Sequence, residues 1–284
     1  MLLSLSGVMM GSFLAFASDQ EPNVWALVFC ALTAILLQIL SNLANDYGDF
    51  KKGLDNADRT GPERVMQSGE LTEKQMRSGI TLTAVLALVF GAFLIFVAAH
   101  LTWCELAVFA VLGLGAVVAA LLYTLGKRPY GYHGLGDLFC FLFFGWVAVA
   151  GTYYLASKTI DLTILLPATA VGFLSNAVLN INNMRDYEND KAKGKNSLVV
   201  KLGLKRAFTY HVVLIIGAFL CLTIYLWLKH APWFNYAFWL LFPLFLMDLI
   251  TIWKTFESGH LDPLLPKQVV HTFLLTLVFG LLIL

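Results

Sequence analysis

Charge is what this sequence has least of. Only 13% of its 284 residues are Asp, Glu, Lys or Arg, against 59% hydrophobic, and the mean hydropathy is +0.75. Soluble domains carry roughly 25% charged residues, so a water-facing globular surface is excluded and an integral membrane protein is implied. No excess of either sign is present: the formal net charge is +1, and no basic nucleic-acid-binding patch is indicated. Cysteine is also scarce. Cys30, Cys104, Cys140 and Cys221 lie in or beside apolar runs without CxxC spacing, so neither a zinc site nor a disulfide framework is suggested, and all four read as packing residues. Missing, too, is a basic stretch ahead of the first apolar run, residues 2–17; that run is expected to be a transmembrane helix, not a cleaved leader.

What is present is a succession of apolar runs. A bilayer core is crossed by about 20 mostly apolar helical residues, and the stretches 2–17, 24–43, 80–99, 107–123, 138–156, 162–181, 212–228, 236–252 and 269–284 fit that description. The expected fold is all-α, a single domain over 1–284 forming a polytopic membrane bundle of about nine helices around a central cavity. The basic residues sort by loop. Of the 19 Lys and Arg, all but Lys158 and Lys229 follow even-numbered spans, which by the positive-inside rule puts those loops and the N-terminus in the cytoplasm. Two of these loops, 47–79 and 186–205, are long and polar enough to cap a cavity. The opposite-side connectors are short, with Trp25, Trp103, Trp233 and Trp239 nearby, as in an interfacial aromatic belt.

Two acidic clusters end two of the spans. In span two, Gln38, Asn42, Asn45, Asp46 and Asp49 share a helix face by their three- and four-residue spacing. Span six repeats the device, with Asn176, Asn180 and Asn183 on one stripe and Asn182, Asp186 and Asp190 on an adjoining one. Polar groups at membrane depth normally face a bundle interior or a water-filled cavity, so both stripes are expected to face one cavity. Crowded carboxylates there are tolerable if a hard divalent cation binds them. Mg2+ suits best, since it takes one or two carboxylates together with phosphate oxygens and water. Opposed clusters of this kind would hold a diphosphate between them, with Lys51, Lys52, Arg59, Arg64, Lys191 and Lys195 neutralising the remaining phosphate charge. Solvated loop acids are the plain alternative for either cluster alone; two matched clusters on one side, each prefaced by asparagines inside a span, weigh against it.

These residues resemble the UbiA superfamily of membrane prenyltransferases. The segment NDYGD at 45–49 looks like the family's first aspartate-rich motif, and RDYENDKAKGKNSLVVKLG at 185–203 looks like its second. Three further stretches, DRTGPERVMQSGELT at 58–72, YTLGKRPYGYHGLGD at 123–137 and FFGWVAVAGTYY at 143–154, resemble the bacterial branch whose acceptor is 1,4-dihydroxy-2-naphthoate. The chain departs from many superfamily members in having Gly53 where a third aspartate stands, with Asp55 two residues later.

The resemblance implies Mg2+-dependent transfer of a polyprenyl group from its diphosphate to an aromatic ring. For the naphthoate branch the carboxylate is lost and demethylmenaquinol results, a step of menaquinone biosynthesis in the bacterial inner membrane with the active site on the cytoplasmic side. Asp46, Asp49, Asp186 and Asp190 become the expected metal ligands. Asn42, Asn45, Asn182 and Asn183, with Lys51, Arg59, Arg64, Lys191 and Lys195, become the expected diphosphate contacts. Lys127, Arg128, Tyr130 and His133, with Tyr132 beside them, are candidates for binding the acceptor carboxylate or deprotonating its hydroxyl, although Lys127 and Arg128 also serve as topology charges. Aromatic residues in 139–146 are candidates for a lipid-tail tunnel. Asp137 and Asp248 sit near span ends. No obligatory protein partner is expected beyond the bilayer itself. Two alternatives stay open: a sister enzyme acting on 4-hydroxybenzoate, homogentisate or haem, and an ion-coupled transporter, which would favour acids near the midplane.

Overall fold

A computed structural model describes residues 1–18, 20–54, 66, 68–98, 101–256 and 261–284. Eight of its helices are long and apolar enough to cross a membrane. In chain order the helices are α1 (Leu2–Phe16), α2 (Val24–Lys51), α3 (Glu73–Val97), α4 (Trp103–Leu122), α5 (Gly136–Ser157), α6 (Leu162–Arg185), α7 (Tyr187–Ala192), α8 (Leu198–Leu202), α9 (Leu204–Leu228), α10 (Trp233–Thr255) and α11 (Leu264–Ile283). The ninth expected span, α1, is apolar but has only 15 residues. At 1.5 Å per residue it covers about 22 Å, short of the hydrocarbon thickness. It compensates by packing inward against α5 and α11, with Ser6, Met10 and Ala15 among its buried residues.

The helix starts are fixed by side chains. Asn23 caps α2 by accepting from the Ala26 N–H, and its Nδ2 donates to the Val97 carbonyl at 2.8 Å, tying α2 to the end of α3. Thr72 and Thr102 form capping boxes with Gln75 and Glu105 at the starts of α3 and α4; caps of this kind contribute about 1 kcal/mol each. Large side chains such as Val111, Phe96 and Leu240 are exposed around the perimeter, where lipid is their solvent.

The core gathers around α6. Within its membrane-crossing window 61% of residues are buried, against 22% for α2 and 17% for α3 and α4. Small residues permit the closeness: a Cβ placed on Gly145 of α5 would stand 2.7 Å from the Ala168 carbonyl oxygen and 2.8 Å from Gly172 Cα on α6, so only glycine fits that crossing. Residues Phe141–Val147 of α5 form a π-helical turn, a widened geometry often found at functional sites. Here it carries Phe143, Phe144 and Val147 onto the wall of the main cavity.

Two helices run further than their apolar stretches predict. The hydrophobic run in α2 ends at Leu43, yet the helix continues without a break to Lys51 and closes over Gly53, whose φ of +67° suits glycine. Helix α6 likewise continues through Arg185. The α2 extension carries Asp46 and Asp49, while Asp186 caps the end of α6 and Asp190 follows on α7, at the same end of the bundle.

Candidate active site

The end of α2 is pressed against the chain that follows α4. Thr124 donates its hydroxyl to the Ala44 carbonyl at 2.8 Å, and a Cβ on Gly48 would lie 2.6 Å from the Thr124 side chain. That contact sets the rotation of the last two turns of α2. Gly131 N–H donates to the Tyr123 carbonyl at 3.0 Å, folding Tyr130–His133 into a short 3-10 turn that swings Tyr132 over the acids. The Tyr132 hydroxyl donates to Asp49 Oδ1 at 2.8 Å. Burial, then the neighbouring Asp49 charge, pushes the Tyr132 hydroxyl far above its ordinary range, so it stays a donor.

The second motif approaches from α7 and the turn after it. Asn189 Nδ2 donates to the Leu54 carbonyl at 2.8 Å, across 135 residues of sequence. Lys195 N–H returns to the Asp190 carbonyl at 2.8 Å, and Asn196 N–H to the Tyr132 carbonyl at 3.1 Å. The two acidic motifs thereby meet: the Lys195 ammonium stands 3.7 Å from Asp49 Oδ2 and 3.5 Å from Asp190 Oδ1. All three side chains are buried. Burial pushes the Asp190 carboxyl up to about 7; Lys195 opposes that shift, while Asp186 and Asp49 add to it. Lys52 lies 3.8 Å above the Tyr132 ring, and burial lowers its ammonium.

Asp186 is held differently. Arg185 grips it in a two-pronged pair, Nε to Oδ1 and Nη2 to Oδ2, each 2.8 Å. The same guanidinium donates to Asn182 Oδ1 at 2.9 Å and reaches Asp262 at 3.2 Å. Asp46 is half-buried on the same face of α2 as Asp49.

A cavity of about 490 Å³ opens beside these acids, within the roughly 300–1,000 Å³ usual for small-molecule sites. Asn42, Asn45 and Asn182 form its polar mouth, and it runs into the bundle between Phe139, Phe143, Cys30, Leu94 and Val8. Tyr130 lines it, stacked on Phe139 at 4.2 Å between centroids and donating to the Ala119 carbonyl at 2.9 Å. The acids themselves stand outside this lining, at its rim.

Not every expected residue converges. Lys127, Arg128 and His133 are exposed and do not line the cavity. Lys51 is exposed and pairs with Glu73 at 2.7 Å, and Lys191 is exposed over the Tyr187 ring. Arg59, Arg64 and Asp55 lie outside the described residues. The polar stripes of α2 and α6 were expected to face one cavity; Gln38, Asn42 and Asn45 of α2 and Asn182 of α6 do, but the Asn176, Asn180 and Asn183 stripe does not. Asn176 donates to the Tyr210 hydroxyl at 3.2 Å and Asn180 to the Ala207 carbonyl at 3.1 Å, so that stripe packs against α9, where interhelical hydrogen bonds satisfy polar groups in lipid. Asn183 is buried outside the cavity lining. Sequence reading gave no role to Asn189 or Asp262; neither bears a spacing signal, because their partners are set by tertiary contact.

The donor set can be tested for a divalent cation. Among the described residues no three His, Cys, Asp or Glu side chains are arranged to hold a metal ion by themselves. Mg2+ needs fewer: one or two carboxylates, with phosphate and water completing its shell. Asp190 Oδ2 and Asn45 Oδ1 are buried without a hydrogen-bonding partner among the described residues, hard oxygens of the type Mg2+ takes. Between Asp49 and Asp190 a cation, the Lys195 ammonium, already sits. The residues fit the group.

A model described as the UbiA prenyltransferase family matches residues 4–265. The chain belongs to that family. This UbiA-family chain is 42% identical over 280 residues to the 1,4-dihydroxy-2-naphthoate octaprenyltransferase of Haemophilus influenzae, covering 98% of this chain and 91% of the relative. To the Escherichia coli protein of the same name it is 41% identical over 278 residues, covering 98% and 89%. Its fold matches the apo structure of a UbiA homologue from Aeropyrum pernix K1 with a TM-score of 0.65 at 16% identity, over 99% of this chain and 94% of that one. It also matches the UbiA homologue from Archaeoglobus fulgidus bound to DMAPP and Mg2+, with a TM-score of 0.61 at 15% identity, over 99% and 95%.

Proposed function

We propose that this multi-pass membrane enzyme transfers a polyprenyl group from polyprenyl diphosphate to 1,4-dihydroxy-2-naphthoate, with loss of the carboxylate, giving demethylmenaquinol for menaquinone biosynthesis. One observation carries the reading: Asp49 and Asp190, from motifs far apart in sequence, meet across Lys195 at the rim of an apolar cavity. The names borne by the Haemophilus influenzae and Escherichia coli relatives supply the acceptor. In this reading the protein sits in the bacterial inner membrane with the acid end of the bundle facing the cytoplasm, where 17 of the 19 basic residues are expected.

Asp46, Asp49, Asp186 and Asp190 would hold Mg2+, whose charge neutralises the departing diphosphate. Lys195, already among the carboxylates, would offer a further cation to phosphate oxygens, and Arg59 and Arg64 are candidates for the same role. Asn42, Asn45 and Asn182 present amide groups where the diphosphate would leave the cavity mouth. The Phe139 and Phe143 wall takes the prenyl tail and excludes water from the allylic cation left when the carbon–oxygen bond breaks. Tyr130, on that wall, meets the acceptor ring, which forms the new carbon–carbon bond and loses its carboxylate as carbon dioxide. Lys127, Arg128 and His133 stand on the adjacent turn, as candidates for steering the acceptor carboxylate inward.

The test uses purified protein in detergent with Mg2+, a polyprenyl diphosphate and each candidate acceptor, with products identified by mass. Prenylated product from 1,4-dihydroxy-2-naphthoate is expected. No such product, with one formed from 4-hydroxybenzoate or homogentisate, overturns the acceptor assignment.

A further inference from the structure

Three lysines lie in and just after α7, and only one is turned inward. Lys191 and Lys193 are exposed, whereas Lys195 is 4% exposed. The backbone places it there. Past the end of α7, Gly194 takes the left-handed region, φ +74°; its N–H donates to the Lys191 carbonyl at 3.3 Å, and Lys195 N–H donates to the Asp190 carbonyl at 2.8 Å. This is the paired closure by which helices stop on a glycine. It plants Lys195 beside Asp190, and Asn196 N–H, donating to the Tyr132 carbonyl at 3.1 Å, pins the turn from the other side.

The ammonium stands 3.7 Å from Asp49 Oδ2 and 3.5 Å from Asp190 Oδ1. Asp49 and Asp190 are 3% and 2% exposed, and carboxylates so buried need a positive charge beside them. Lys195 meets that need with a cation tethered to the chain, which competes at a high effective concentration with any ion from solution. Both separations exceed the roughly 2.7–2.9 Å of a charge-assisted hydrogen bond, so the ammonium is shared between the two carboxylates and not locked onto one. Asp186 differs: both its oxygens are taken by Arg185 at 2.8 Å. A divalent ion held by the oxygens facing Lys195 would stand about 2 Å from them, in the space the ammonium fills, and two cations at that range repel. Lys52, over the Tyr132 ring, adds a further positive charge on the same side.

We infer, resting on the prenyl-transfer reading, that Lys195 makes metal binding conditional on the diphosphate: it holds the place between Asp49 and Asp190 against a metal ion alone, and yields it when phosphate oxygens take the ammonium. The diphosphate brings negative charge enough for both cations, so the lysine passes from carboxylate to phosphate and the metal enters beside it. By linkage, metal and diphosphate raise each other's affinity by one common factor, and Lys195 sets that factor.

The probe is Mn2+, whose free ion is counted directly by electron paramagnetic resonance. The full chain in detergent is titrated with Mn2+ alone, and binding of radiolabelled polyprenyl diphosphate is then measured at saturating Mn2+ without acceptor. Lys195→Met is expected to bind Mn2+ alone about tenfold more tightly than wild type and the diphosphate about tenfold more weakly. Opposite shifts of this kind do not follow from loss of a lysine that serves folding only. The gain should vanish when Asp190→Asn is added. Lys195→Arg keeps the test valid should the methionine variant fail to fold: its guanidinium forks onto a carboxylate, so Mn2+ alone should bind no more tightly than to wild type. Mn2+ affinity unchanged or reduced in Lys195→Met, a gain that survives Asp190→Asn, or tighter Mn2+ binding by Lys195→Arg overturns the inference while leaving prenyl transfer standing. Wild-type protein that binds no polyprenyl diphosphate at saturating Mn2+ overturns the prenyl-transfer reading, and the inference with it.

Discussion

The two helix ends that carry the aspartates present the same chemistry in contrasting settings. Helix α6 is the buried axis of the bundle, and Asp186 at its end is gripped by two nitrogens of a buried guanidinium. Helix α2 lies towards the lipid, and its Asp49 is positioned from outside, by Tyr132 and by the close fit of Gly48 on Thr124. One half of the proposed diphosphate clamp is thus part of the core, and the other half is leaned into place by a loop. The first should be costly to disturb and the second easy to mistune.

The largest expected effects fall on the pair that meets across Lys195. Asp49→Asn and Asp190→Asn should each lower prenyl transfer by about 10²-fold or more, as loss of a main electrostatic contact to a departing anion does. Initial rates at saturating Mg2+ measure this. Near-wild-type turnover in either variant would remove that carboxylate from the site and leave the other half working alone.

Asp186→Asn against Asp46→Asn tests the contrast itself. Both should lose activity, but Asp186→Asn should lower the melting temperature more, because it strips a buried Arg185 of its two-pronged partner; breaking such pairs costs roughly 3 kcal/mol. The remaining bonds of Arg185 to Asn182 and Asp262 soften the loss. Asp46 is half-buried, and its variant should melt closer to the wild type. Equal melting temperatures would mean that α6 is no more rigid a mount than α2.

How much of this was legible in the residues follows the same division. Apolar runs foretold a polytopic bundle, since a helix in lipid must be apolar along its length. Spacing alone placed Asp46 beside Asp49 and Asp186 beside Asp190, because a helix fixes three- and four-residue neighbours. That α2 stays helical past Leu43 was legible in the spacing of Asn45, Asp46 and Asp49; its stop at Lys51 was hidden, as it lies beyond the apolar signal. The orientation of the Asn176 and Asn180 stripe was hidden too: polarity inside a span says that a group needs a partner, not whether the partner is a cavity or α9. Tyr132, Asn189 and Lys195 owe their places to contacts spanning tens to more than a hundred residues, which no local pattern encodes.

A smaller effect should follow removal of the loop's hold on α2. Tyr132→Phe deletes the 2.8 Å bond to Asp49 while keeping the ring beneath Lys52. A hydrogen bond to a charged group contributes about 1.5 kcal/mol or somewhat more, so turnover should fall about tenfold, with a weaker apparent affinity for Mg2+. An unaltered Mg2+ dependence would show that Asp49 is set by α2 alone.

The smallest effect is expected at the far side of that same loop. Lys127 and His133 are exposed and stand off the cavity lining, whereas Tyr130 between them lies on it. Surface substitutions away from partners change energies by within about 0.5 kcal/mol, so Lys127→Ala and His133→Ala should each keep turnover within about twofold at saturating acceptor. Any loss should appear in KM for the naphthoate, as steering of an anionic acceptor would. Tyr130→Ala should do more, because it opens the wall at Phe139. If His133→Ala instead lowers kcat about tenfold or more, the loop does more than lean α2 into place: it takes part in the chemistry, and the clamp has three members.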